Sequence, residues 1–260
     1  MPTEANLMIV SFPTSMPASE ARAHVIPDAM VESPPTWSLQ TLNLGPARSS
    51  PDYESHLART VGSSYDWSDE LRFARGDGRL CSVVLKTPEA GETDAHIAAR
   101  WLAWPRRRGL PVLVQRDQGF HVDPLDTRYL APDASGLIAA AADLAQPDDS
   151  CVRLEIAPDL DLLFQHGRYC GWILNAPLHH LGALPVSAPA QVDDAALPEL
   201  LRAYLALLCE PNLSRMSDED PTLLADLRAL HTRATHLAGA AAGTIASSIE
   251  RAIDTFYPAS

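Results

Sequence analysis

Leu160-Asp161-Leu162-Leu163-Phe164-Gln165-His166-Gly167-Arg168-Tyr169-Cys170-Gly171-Trp172-Ile173-Leu174 holds two apolar runs on either side of a two-residue break. Runs of this length, bounded by a turn residue and containing aromatic and β-branched side chains, are strand signals. Leu160–Gln165 and Arg168–Leu174 therefore pair as a hairpin across His166-Gly167. Tyr169–Leu174 is apolar on both faces, which marks a central strand. Just upstream, Val152, Leu154 and Ile156 alternate with Arg153 and Glu155. Cys151–Ala157 is thus a strand with one dry and one wet face.

Working outward, the same period of two recurs at Glu70–Arg75 and Arg79–Thr87, around Gly76-Asp77-Gly78. Glycine supplies the positive φ that such a turn needs, so this is a second hairpin. Pro111–Gln115 and Gly119–Val122 read as a third, around Arg116-Asp117-Gln118. Three helices are expected between these strands. Asp52–Val61 is capped by Asp52, Thr93–Trp104 places Ile97, Trp101 and Trp104 on one face, and Ser135–Ala145 is rich in alanine. The first 51 residues hold 8 of the 22 prolines. Strands are expected there at Leu7–Phe12 and Thr36–Leu44, with mostly irregular chain between them, since each proline removes a backbone donor.

Composition changes near Ala183, where Leu184–Leu197 has a linker's character. Beyond it, Leu197, Leu201, Tyr204 and Leu208 form a helical stripe, and Asp220-Pro221 reads as an N-cap followed by a first-turn proline. Carried unbroken from Pro221 to Phe256, that last helix would run about 54 Å. A break is expected near Gly239–Gly243. The fold class is therefore α+β: a mostly antiparallel sheet built from hairpins with flanking helices, followed by a C-terminal helical region. Residues 1–51 are a Pro-rich N-terminal segment packed on the main domain, 52–184 an α+β sheet domain, and 185–260 a helical region docked on it.

Charge and composition narrow the function. The chain has 260 residues, 46% of them hydrophobic, which is ample for a packed core. Net charge is −13, and Lys86 is the single lysine beside 19 arginines. Such a charge repels a phosphate backbone, so nucleic acid is not an expected partner. The only basic run, Arg106-Arg107-Arg108 beside Trp104, reads as a solvated loop. Cys81, Cys151, Cys170 and Cys209 lack zinc-type spacing and read as free, mostly buried thiols in a reducing compartment. Leu7–Phe12 is too short for a signal-peptide core or a bilayer span, which points to a cytoplasmic protein without a membrane partner.

No phosphate loop, H-E-x-x-H, G-x-S-x-G or EF-hand pattern occurs. No catalytic residue and no cofactor is assigned. The metal candidates are His121 and Asp123, which share a strand face, joined with His179 and His180 if the fold brings them together. Asp159 and Asp161 read as solvated, His166 as a hairpin tip and Cys170 as core. The partner-binding candidates are Asp193, Asp194, Asp218, Glu219 and Asp220, although carboxylates favour helix starts whatever the function. Two function classes follow. One is a non-catalytic, acidic, bacterial interaction protein that occludes a basic or neutral protein partner, as an immunity protein or a chaperone does. The other is a metal-dependent hydrolase using the His/Asp set.

Overall fold

A computed structural model describes residues 8–12, 21–46, 50–63, 68–89, 93–117, 119–141, 150–182 and 195–258. Four strands come first: β1 (Ile9–Phe12), β2 (Ala21–Pro27), β3 (Thr36–Trp37) and β4 (Thr41–Leu44). Helix α1 (Tyr53–Arg59) leads into β5 (Thr60–Gly62), β6 (Glu70–Ala74) and β7 (Leu80–Lys86). Helix α2 (Ala95–Leu102) precedes β8 (Arg106–Leu113), β9 (Thr127–Leu130), β10 (Gly136–Ala140), β11 (Val152–Ala157), β12 (Leu160–Gln165) and β13 (Arg168–Asn175). A 3-10 turn at Pro177–His180 follows, then α3 (Leu197–Leu207), α4 (Asn212–Ser217), α5 (Pro221–His236) and α6 (Ala240–Phe256).

The hairpin β12–β13 forms as its sequence dictates. Its turn residues His166 and Gly167 have φ of 50° and 76°, the pair of positive values that matches a tight turn to the strands' twist. Around it, β1, β2, β8, β11, β12 and β13 close into a ring, because β1 bonds to β2 on one edge and to β13 on the other. The β1–β13 and β8–β11 joints are parallel. β10 and then β9 continue from the later part of β13. The protein is α+β, but its main sheet is a mixed barrel rather than a mostly antiparallel hairpin sheet. The difference arises because β2 and β8 enter the ring through pairings with distant strands, which local periodicity does not announce.

Four segments depart from the sequence reading. Residues 21–27, expected to be irregular, form β2, whose Pro27 sits at the strand's end and leaves the ladder intact. Arg106–Arg108 opens β8 instead of lying in a loop, and Pro111 falls beyond the residues paired with β11. Gly136–Ala140, within the stretch Ser135–Ala145 expected to be a helix, forms β10, buried along its whole length between β9 and β13, while residues 142–145 of that stretch lie outside the described residues. Tertiary pairing outweighs the helix preference of its alanines. Phe120 makes only an isolated bridge to Ser63, so the expected hairpin around Arg116-Asp117 is absent; Gln118 lies outside the described residues.

The second sheet, ordered β3-β4-β7-β6-β5, is antiparallel throughout and contains the expected β6–β7 hairpin. Between the two sheets lies Phe12, fully buried, with its ring 5.6–5.9 Å from those of Phe73, Phe120, Phe164 and Tyr169. A continuous apolar cluster joins both sheets to α3, α5 and α6. A smaller cluster lies under α2, where Ala98, Trp101 and Trp104 cover Ile138, Leu163 and Ile173. Ile97, expected on that face, is 39% exposed, and Ala98 takes its place.

The C-terminal helices follow their sequence closely. Asp220 accepts a hydrogen bond from the Thr222 N–H (2.8 Å), and Pro221 occupies the first turn. The long helix breaks at Leu237–Gly239, so α5 and α6 fold back against each other. Among the described residues, no helix is long and apolar enough to cross a membrane.

Candidate functional site

The residues marked by the sequence are dispersed. His121 and Asp123 are exposed on either side of buried Val122, in a loop rather than a strand. His179 is exposed on the 3-10 turn, whereas His180 turns inward and its Nδ1 lies 3.0 Å from the Pro35 carbonyl. Its Nε2 stands 3.3 Å from Asp159 Oδ2 but makes no hydrogen bond of good geometry there. Among the described residues no three His, Cys, Asp or Glu side chains converge as a metal cage. The four cysteines are free thiols; Cys151 and Cys170 are buried, Cys81 and Cys209 only half-buried. His166 is exposed at the hairpin tip, as expected. Asp193 and Asp194 lie outside the described residues.

Asp161 is not solvated but fully buried, and it organises a charge cluster on the barrel. Arg106 donates to Oδ1 from Nη2 (2.9 Å) and Nε (3.0 Å), while Arg153 donates to Oδ2 from Nη2 (2.7 Å) and Nε (3.0 Å). Arg108 pairs with Glu155 at 3.0 Å. The strand register explains the arrangement, since Arg106 lies opposite Arg153, Arg108 opposite Glu155, and Glu155 opposite Asp161. Burial works to lower the Arg106 pKa, but hydrogen bonding and charge from Asp161 and Glu155 leave it raised. The arginine run therefore serves the chain's own carboxylates.

A second polar group lies between α1 and the five-stranded sheet. Tyr53 donates to Glu70 Oε1 (2.5 Å), and His56 Nε2 is 2.6 Å from Ser82 Oγ. Arg72 donates to Thr60 Oγ1 and to the carbonyls of Leu57 and Thr60. A histidine this close to a serine has the reach of a base beside a nucleophile. Here, however, Ser82 is 2% exposed, and a Cβ added to Gly45 would lie 2.7 Å from its Cβ. The pair is sealed and holds α1 to the sheet. Burial, then the charge of Arg72, lowers the His56 pKa below its usual 6.5.

A third buried group joins the two sheets. Tyr169 of the barrel donates to Asp69 Oδ2 (2.6 Å), and the Lys86 backbone N–H donates to Oδ1 (2.8 Å). Burial raises the Asp69 carboxyl to about 6, against the lowering effect of those hydrogen bonds.

A broad hollow lies where the β3–β4 turn, the end of β7, β9 and helices α3 and α6 meet. It has a volume of about 500 Å³, within the range of small-ligand sites. Its floor is Arg128, which is 3% exposed and donates to the carbonyls of Pro88 (2.9 Å) and Leu205. Tyr204 stands beside it and donates to the Ser248 carbonyl at 2.9 Å. Burial pushes the Tyr204 phenol up to about 12, partly offset by the positive charge of Arg251. Lys86 and the exposed Arg251 and Glu89 complete the charged lining, and Leu39, Leu208 and Phe256 contribute an apolar wall. Sequence reading missed this hollow because its residues come from five separated segments with no shared motif. The lone lysine was the only local signal. No protein-family model matches the sequence, and a search of curated proteins finds no match either.

Proposed function

We propose that the protein is a non-catalytic, acidic, cytoplasmic binding protein that occludes a basic surface on a protein partner, in the manner of an immunity protein or a chaperone. The observation that supports this reading is the charge that remains once the arginines are paired. Arg106, Arg108, Arg153, Arg215 and Arg233 each pair with a carboxylate of the same chain, while Arg72 and Arg128 donate to backbone carbonyls. Each ion pair cancels one charge of either sign, so the paired arginines leave the net charge of −13 unchanged, and that charge keeps the outward field negative.

Asp218 and Glu219 are exposed between α4 and α5, and they are the residues of the acidic run suited to meeting a partner. Asp220 has a different task, since it caps α5 and pairs with Arg215 at 2.8 Å. Complementary charge acts mainly on the speed of association. A partner recovered from the native host should be basic, with an association rate that falls steeply as salt rises. Replacing Asp218 and Glu219 by Asn and Gln should slow association several-fold while leaving the melting temperature unchanged. An acidic partner, or association indifferent to salt, would refute the reading.

A further inference from the structure

We infer that His180 and Asp159 form a binding site for a divalent transition-metal ion of the zinc type, with water completing its coordination. Such a site is independent of the proposed protein partner. The two nitrogens of the His180 imidazole have different surroundings. Nδ1 lies 3.0 Å from the Pro35 carbonyl oxygen, which can only accept, so Nδ1 carries the proton and donates. In the neutral ring Nε2 is then a bare lone pair. It is buried without a hydrogen-bond partner on a side chain that is 8% exposed, and Asp159 Oδ2 stands 3.3 Å away.

A lone pair and a carboxylate oxygen at this distance repel each other unless a cation lies between them. A proton on Nε2 would serve only if the N–H pointed at the oxygen, and the geometry is too poor for that hydrogen bond. A metal ion can sit off the line between the two atoms. Zinc binds imidazole nitrogen and carboxylate oxygen at about 2.0–2.2 Å in tetrahedral geometry, which places two of its ligand atoms roughly 3.3–3.4 Å apart. The separation of Nε2 and Oδ2 fits that spacing. A metal-binding histidine also donates its other ring N–H to a carbonyl or carboxylate, which is the part Pro35 plays here.

Both ligands are held in advance by separate parts of the fold. Asp159 sits in the turn between β11 and β12, where its carbonyl accepts from the Asn175 N–H (2.8 Å) and from Asn175 Nδ2 (3.2 Å). His180 ends the 3-10 turn, and the residues after it are tied to β3. Leu181 bridges Trp37, and the Gly182 N–H donates to the Trp37 carbonyl at 3.1 Å. Ligands fixed in this way lose little freedom when an ion arrives. The Asp159 side chain is 50% exposed, which gives the ion a way in and opens its remaining positions to water. Arg106 feels the Asp159 charge, but its guanidinium bonds to Asp161 and Glu155. Imidazole beside carboxylate suits zinc and its neighbours, whereas magnesium takes oxygen ligands.

Calorimetric titration of the full chain with zinc chloride tests this, with magnesium chloride as the comparison. Zinc should bind saturably and magnesium should not displace it. Asp159→Asn should weaken zinc binding about tenfold or more, the scale of losses at metal sites. Its metal-free melting temperature should not change, because asparagine tolerates the positive φ of 63° that residue 159 adopts. His180→Gln should abolish the same binding, whereas His121→Ala, at an exposed loop histidine, should leave it intact. Ring-nitrogen NMR gives a readout that stability does not move. In metal-free protein at neutral pH, His180 should be the Nδ1–H tautomer, and zinc should shift its Nε2 signal. The inference is overturned if zinc fails to bind the wild type below about 1 mM, a weak dissociation constant. It is equally overturned if Asp159→Asn binds zinc as tightly as the wild type. Protons on both nitrogens of His180 would also overturn it, since the two side chains would then be a simple ion pair.

Discussion

Asp69 shows how one buried side chain sets the response of the protein to pH. Its carboxyl titrates near 6 in the folded protein, against 3.8 for the ordinary group, because burial disfavours the charged form. The folded state therefore takes up this proton before the unfolded state does. The contribution of Asp69 to stability grows as pH falls from about 6 towards 4, and it is lost as pH rises through the folded value. A displacement of about two pH units corresponds to roughly 3 kcal/mol. His56 acts in the opposite sense, since its lowered pKa costs stability as acid protonates the unfolded chain first. Comparison with Asp69→Asn separates the two. The stability difference between wild type and Asp69→Asn, read from denaturant unfolding, should shift in favour of wild type on going from pH 7 to pH 4.5. A difference that is flat over that range would show that Asp69 is ionised throughout.

At the scale of elements, three strands share one carboxylate. Asp161 on β12 receives Arg106 from β8 and Arg153 from β11, so a parallel and an antiparallel joint are locked together by charge. Replacing Asp161 by Ala leaves two guanidinium groups without their acceptor. Breaking a buried pair typically costs 3–5 kcal/mol, but Arg106 is 41% exposed and will turn to water, so a loss of about 2–3 kcal/mol is expected. A change in the unfolding midpoint with an unchanged denaturant slope would measure it. A loss under about 0.5 kcal/mol would mean that the cluster is solvated after all.

The same cluster marks what was legible in the sequence. Elements whose signal lies within about fifteen residues were readable: the β6–β7 and β12–β13 hairpins, the capped start of α5, and the break before α6. Elements defined by a distant partner were not. Three successive arginines carry no strand signal until Glu155 and Asp161 are placed opposite them. Alanines 139 and 140 prefer a helix until β9 and β13 bond to both edges of β10. For the candidate site the limit was sharper. Lys86, Arg128, Tyr204 and Arg251 are separated by dozens of residues, and nothing in their local sequence shows that they line one hollow. His121, Asp123, His179 and His180 were visible as residue types, yet the fold does not gather them.

At the scale of the whole molecule, the barrel is shut by its earliest strand, since Ser11 of β1 pairs with Arg168 of β13. That joint has a kinetic consequence. Almost the whole barrel must be made before β1 has its second neighbour, so closure spans the longest loop closed by a strand pairing among the described residues, and long-range pairing is slow. The β11–β12–β13 meander, in contrast, is local in sequence and suited to nucleate folding. Val10, fully buried in β1, and Leu162, fully buried in β12, report on the two events. Val10→Ala should speed unfolding and leave the refolding rate almost untouched, whereas Leu162→Ala should slow refolding. Stopped-flow measurements on the two variants would decide this, and a marked slowing of refolding by Val10→Ala would place closure early. Until the ring closes, β1 and β2 carry an open edge, the kind of template on which a second chain can add a strand. The interval between nucleation and closure is thus when this protein is most exposed to aggregation, and substitutions that lengthen it should lower refolding yield even where final stability is unchanged.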